Sequence, residues 1–108
     1  NIGYDFVNGP NLVNSDSRGY YLLSRTSNTL QELYKNGTFL DDETGDKSAG
    51  TIPAFNLYIG AFNATGTAEK FADRRCQFAT IGTGVNNTIA GDMYTDIQAF
   101  QTTLGRNV

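Results

Sequence analysis

The chain has 108 residues, a formal charge of −3, 39% hydrophobic residues and 18% charged residues. That length allows one domain with one modest core, and the composition is globular rather than disordered. The acidic balance without a basic run excludes recognition of nucleic acid through its phosphates, and no apolar stretch approaches the roughly 18 residues of a membrane-spanning helix.

There is no histidine, which removes the commonest general base, the Ser–His dyad and the commonest metal ligand. A lone cysteine, Cys76, excludes an internal disulfide. Twelve glycines, six tyrosines and seven phenylalanines among many Asn and Thr point to strands joined by tight turns. The first residue is Asn1, not methionine, so the chain reads as a processed or truncated product.

Residues 1–18 carry turn and loop signals, Asn8-Gly9-Pro10 and Ser15-Asp16-Ser17. In Gly19–Ser27, Tyr20 and Leu22 oppose Tyr21 and Leu23, which predicts a central strand buried on both faces. Leu30–Lys35 and Thr38–Leu40 flank Asn36-Gly37, a type I′ hairpin signal. Asp41–Gly50 reads as a loop. Thr51–Ala64 alternates Phe55, Leu57, Ile59 and Ala61 with Asn56, Tyr58, Gly60 and Phe62, which predicts a strand with Pro53 at its start.

Thr65–Arg75 reads as a connecting loop with room for one helical turn. Cys76–Gly82 predicts another strand, with Cys76 as a small buried apolar residue. The end of the chain predicts a helix from an Asn86 or Asn87 cap to about Leu104. Met93, Ile97, Phe100 and Leu104 form its apolar stripe, expected to lie on a sheet. Gly105 suits the left-handed cap and Arg106 the negative end of the helix dipole.

Lys35-Asn36-Gly37, Tyr58-Ile59-Gly60-Ala61, Asp73-Arg74-Arg75, Phe78-Ala79-Thr80-Ile81-Gly82 and Gln98 through Arg106 occur in an informative order. Over about residues 16–108 this order resembles the C-terminal half of concanavalin A-like (LamG-like) jelly rolls of bacteriophage virion proteins. The "FQTTLGR" ending is its most specific part. The resemblance implies a mainly β fold: a jelly-roll β-sandwich with one C-terminal helix packed on the sheet. Residues 1–108 would form this domain or its C-terminal portion. A complete roll of this type runs close to twice this length, so another segment of the same longer chain, or a neighbouring protein, is expected to supply the first strands.

The function it implies is that of a non-enzymatic virion structural protein at the particle surface: a head fibre, a capsid decoration, or a tail-fibre or baseplate module. Expected partners are other virion proteins and, weakly, host-surface glycans, with a homotrimer as the expected oligomer. The alternatives are a carbohydrate-binding module of a secreted, extracellular bacterial protein and a glycoside hydrolase fragment.

The candidate sites follow from residue type. Tyr20, Tyr21, Tyr34 and Tyr58 either stack on sugar rings or fill the core with the hydroxyl reaching the surface. Asn63 and Arg74 are further candidates for sugar or anion contact, and Arg74 and Arg75 alternatively clamp the scaffold by pairing with Asp73 or an Asp of the acidic loop. Asp41, Asp42, Glu43 and Asp46 crowd one expected loop; they are either Ca²⁺ ligands or a solvated acidic turn, and no other cofactor is expected. Glycoside hydrolysis needs two carboxylates, and Glu32 stands alone on its expected strand. Asn36, Asn63 and Asn86 each begin an Asn-x-Thr glycosylation pattern at an expected turn.

Overall fold

The computed structural model describes residues 15–16, 18–44, 54, 56–73 and 75–106. It is mainly strands in two antiparallel sheets, plus one C-terminal helix. The chain divides into two compact units, Asn1–Ser48 with Thr83–Val108, and Ala49–Gly82.

The first unit is built on a three-stranded meander: β1 (Tyr21–Ser27), β2 (Leu30–Lys35) and β3 (Thr38–Thr44), in that spatial order. The Asn36-Gly37 turn forms as expected. Both residues adopt left-handed φ, +52° and +74°, as a two-residue type I′ turn requires. The turn is gripped from outside: Asn36 N–H donates to the Tyr20 carbonyl at 2.8 Å, and Asn36 Oδ1 accepts the Tyr20 N–H at 2.9 Å.

The ladder continues past Leu40, so Asp41–Thr44, expected in a loop, belong to β3. Leu33 pairs with Asp41 and Tyr34 with Phe39, which leaves Leu40 as the extra residue of a bulge. The buried centre is β2, not β1 as the double-sided apolar pattern predicts. A meander places its middle strand between two neighbours, and Leu33 and Tyr34 there are 1% and 0% exposed while Leu22 and Leu23 on β1 are only half-buried.

Helix α1 (Asn87–Thr103) starts and stops where the sequence places its signals. Asn86 Oδ1 accepts the Ile89 N–H at 3.0 Å. At the other end Gly105 takes φ +65°, its N–H bonds the Thr102 carbonyl, and Arg106 N–H bonds the Gln101 carbonyl. That is a Schellman cap. The helix packs against β3 and the hairpin turn. A Cβ on Gly37 would lie 3.0 Å from Tyr94 Cβ and 3.1 Å from Gly91 Cα, so only a bare turn admits the helix so closely.

The buried face is not the expected stripe. Phe100 and Leu104 are each 48% exposed, Met93 and Ile97 are half-buried, and Ala90 and Gln101 are the buried positions. The turn meets the helix at Gly91 and at the base of Tyr94, and Gly91 has no side chain to hold it off.

Among its described residues the second unit holds one hairpin, β4 (Phe62–Ala64) and β5 (Thr67–Glu69), turning at Thr65 and Gly66 with φ of +50° and +99°. Asn63 Oδ1 accepts the Gly66 N–H at 2.6 Å and so fixes the turn, and Ala72 N–H reaches the Gly60 carbonyl beyond the ladder. Among the described residues the expected strands over Thr51–Ala64 and Cys76–Gly82 otherwise do not form. Residues 56–61 and 75–82 join no ladder among the described residues, and Thr51–Pro53 and Phe55 lie outside them. Leu57, Ile59, Phe71 and Ile81 are all more than 60% exposed and Phe78 is 38% exposed. Cys76, expected to be buried, is exposed. Alternation says which face of a strand wants cover; it cannot supply the neighbour whose N–H and C=O groups make it a strand.

Candidate functional site

The sheet register sorts the polar residues of the first unit. Tyr21, Leu23, Arg25, Gln31, Leu33, Lys35, Asp41 and Glu43 share one face. Leu22, Ser24, Leu30, Glu32, Tyr34, Phe39, Asp42 and Thr44 share the other. The acidic residues of β3 are therefore divided, Asp42 on one side and Asp41 with Glu43 on the other; Asp46 lies outside the described residues. No group of three or more potential metal-ligating Asp, Glu or Cys side chains forms among the described residues. Asp41–Thr44 of the expected acidic loop are strand here, because the type I′ turn commits the return chain to the ladder.

The register also makes a pair that single-strand reasoning misses. Glu32 and Asp42 are direct cross-strand partners, a spacing of about 5 Å between Cβ atoms. Like charges so placed repel, and nothing in the local sequence announces them, since the pairing depends on how far β3 extends.

The candidate tyrosines separate by environment. Tyr34 is completely buried and meets Phe39 edge-on, ring centroids 6.0 Å apart. Its ring belongs to the core and offers no face to a sugar. Its hydroxyl makes no hydrogen bond of good geometry; burial first, then the Glu32 carboxylate acting at hydrogen-bond range and through its charge, pushes the phenol up to about 12.

Tyr21 carries the Lys35 ammonium over its ring, 5.2 Å from the centroid, and its hydroxyl donates to the Asp16 carbonyl at 2.8 Å. Lys35 Nζ donates to that same carbonyl at 2.7 Å. The Asp16 carboxylate in turn accepts the Arg18 guanidinium and the Arg18 backbone N–H, which hold it down at about 2. One polar clasp thus fastens Asp16, with Arg18 on its carboxylate, to β1 and β2.

In the other unit Tyr58 and Asn63 come together on the β4–β5 hairpin. The Tyr58 hydroxyl donates to the Gly66 carbonyl at 3.1 Å while Asn63 holds the Gly66 N–H. Asn63 Nδ2 also donates to the Asn56 carbonyl. Tyr58 is half-buried, so part of its ring remains open to a ligand. Arg74 lies outside the described residues.

Each asparagine of the three Asn-x-Thr patterns is occupied in local backbone bonding: Asn36 to Tyr20, Asn63 to Gly66 and Asn56, and Asn86 to Ile89. These carboxamides act as turn and cap chemistry.

No family model, curated protein or solved structure matches this chain.

Proposed function

We propose that this chain is a non-enzymatic structural protein of a bacteriophage virion. It would be a concanavalin-like sandwich module of a head fibre, capsid decoration, or tail-fibre or baseplate part, working by contact with other chains at the particle surface. The observation that carries this reading is the second unit. Between Leu57 and Ile81 five large apolar side chains stand exposed on a segment whose described ladder is two three-residue strands. A two-stranded hairpin alone is marginal in water, and apolar residues in strand-like alternation are stabilised when another surface covers them.

Magnitudes favour an assembly over a loose pair. Fully covering an exposed side chain is worth about 1.5–3 kcal/mol, and because these five are already partly covered their burial contributes roughly 5–10 kcal/mol. Association costs about as much again, which leaves little for a solitary encounter and makes repeated attachment in an ordered particle the natural setting. Mass spectrometry of purified virions tests the reading. It expects the chain in fixed stoichiometry with the major capsid protein; a chain confined to cellular fractions would reject it.

Two other readings each have one supporting observation. The Tyr58–Asn63 cluster favours a carbohydrate-binding module, for which a glycan array should show binding that Tyr58→Ala abolishes. The Glu32–Asp42 pair favours a glycoside hydrolase fragment, for which Glu32→Gln should abolish hydrolysis of a glycan library.

A further inference from the structure

We propose that Asn36-Gly37 is a latent self-modification site that the fold keeps silent, so that its deamidation records opening of the hairpin from the helix. An Asn followed by Gly is chemically labile because glycine presents no side chain to hinder its backbone nitrogen. The Gly37 nitrogen attacks Asn36 Cγ and forms a new N–Cγ bond. The Cγ–Nδ2 bond breaks, ammonia leaves, and the Gly37 amide proton passes to solvent base. Water then opens the succinimide ring to aspartate or to isoaspartate. Only water is consumed.

The reaction requires the Asn36 carboxamide carbon to swing onto the Gly37 nitrogen, and three contacts prevent it. Oδ1 is held by the Tyr20 N–H at 2.9 Å while the Asn36 N–H is held by the Tyr20 carbonyl at 2.8 Å, so main chain and side chain are gripped by one residue. The carboxamide nests against Gly19, where a Cβ would lie 2.7 Å from Oδ1. Gly37 is backed by Tyr94 and Gly91, so the turn cannot twist unless α1 moves away. Reaction therefore waits on local opening.

The products differ in consequence. Aspartate keeps an oxygen for the Tyr20 N–H. Isoaspartate inserts a methylene into the main chain of a two-residue turn, which then no longer joins Lys35 to Thr38 in register. Chains that open and react in this way do not close again.

The test is peptide mapping of the intact chain held at mildly alkaline pH, native and in urea, with Asp and isoaspartate resolved by electron-transfer fragmentation. Asn8-Gly9, the other Asn-Gly dipeptide, serves as the rate reference in urea. Asn36 should react at least about tenfold faster in urea than in the folded chain, the factor that even a modest opening free energy imposes. Equal rates in the two states would overturn the proposal. The deamidated chain, separated from the unreacted chain by charge and from its aspartyl form by reversed-phase chromatography, should in its isoaspartyl fraction lose hydrogen-exchange protection at Gly91 and Tyr94. Native protection in that fraction would overturn the coupling to the helix.

Discussion

Ser24 and Val85, 61 residues apart, exchange two hydrogen bonds: the Ser24 hydroxyl donates to the Val85 carbonyl at 2.6 Å and accepts the Val85 N–H at 2.7 Å. Ser24 is buried on β1 and Val85 lies just ahead of the helix cap. One side chain thus completes both backbone groups of a residue that no ladder serves, and it fixes where α1 begins relative to the sheet.

Replacing Ser24 by Ala leaves that N–H and carbonyl unpaired at a half-buried position. Ser24→Ala should cost about 2 kcal/mol in urea denaturation, in the range for a polar group left unsatisfied. A loss under about 0.5 kcal/mol would mean that water replaces the hydroxyl freely.

The same junction requires a bare residue at 84. A Cβ there would collide with the Arg25 carbonyl, which is backbone and cannot rotate aside. Gly84→Ala should destabilise by about 3 kcal/mol, as overpacking does when no rotamer escape exists. Thermal denaturation followed by circular dichroism reads the effect, and an unchanged midpoint would refute the close approach.

The helix N-terminus has a cap but no acidic residue in its first turn. Asn86→Ala should lose about 1 kcal/mol with the Ile89 N–H bond. Asn86→Asp should keep the bond and gain about 0.5 kcal/mol from the dipole, a gain that falls as salt is added. Paired denaturation curves at low and high salt separate the two effects.

Tyr34 places a hydroxyl without a hydrogen bond of good geometry in the core, so Tyr34→Phe should hold or raise stability at neutral pH by up to about 1 kcal/mol. In the wild type the folded phenol titrates at about 12, above an unfolded value of about 10. A raised folded pKa contributes stability that is complete below the unfolded value and lost as pH rises through the folded one. Stability should therefore fall above about pH 10, and Tyr34→Phe should flatten that alkaline limb. A variant that loses more than about 1 kcal/mol at neutral pH would show the hydroxyl to be bonded.

The hairpin and the helix boundaries were legible because their signals are local. Asn36-Gly37 dictates its own turn, and Asn86 and Gly105 bracket their own helix. What depends on partners was not legible. The apolar stripe through Phe100 and Leu104 named the largest side chains, whereas Ala90 and Gln101 are the buried positions and the turn meets the helix at Gly91 and Tyr94. Glu32 looked solitary because its partner Asp42 sits beyond the point where β3 was expected to end. Residues 76–82 alternate like a strand, yet they join no ladder among the described residues. Of the site candidates, Tyr58 and Asn63 do meet, through a hairpin that pattern reading placed partly in one long strand and partly in a loop.

Hydroxyl-radical footprinting of intact particles, compared with the isolated chain, tests the central claim most directly. The account predicts that Leu57, Ile59, Phe71, Phe78 and Ile81 react freely in the isolated chain and are protected in the particle. Equal labelling of these side chains in both samples, or a particle that lacks the chain, would contradict it.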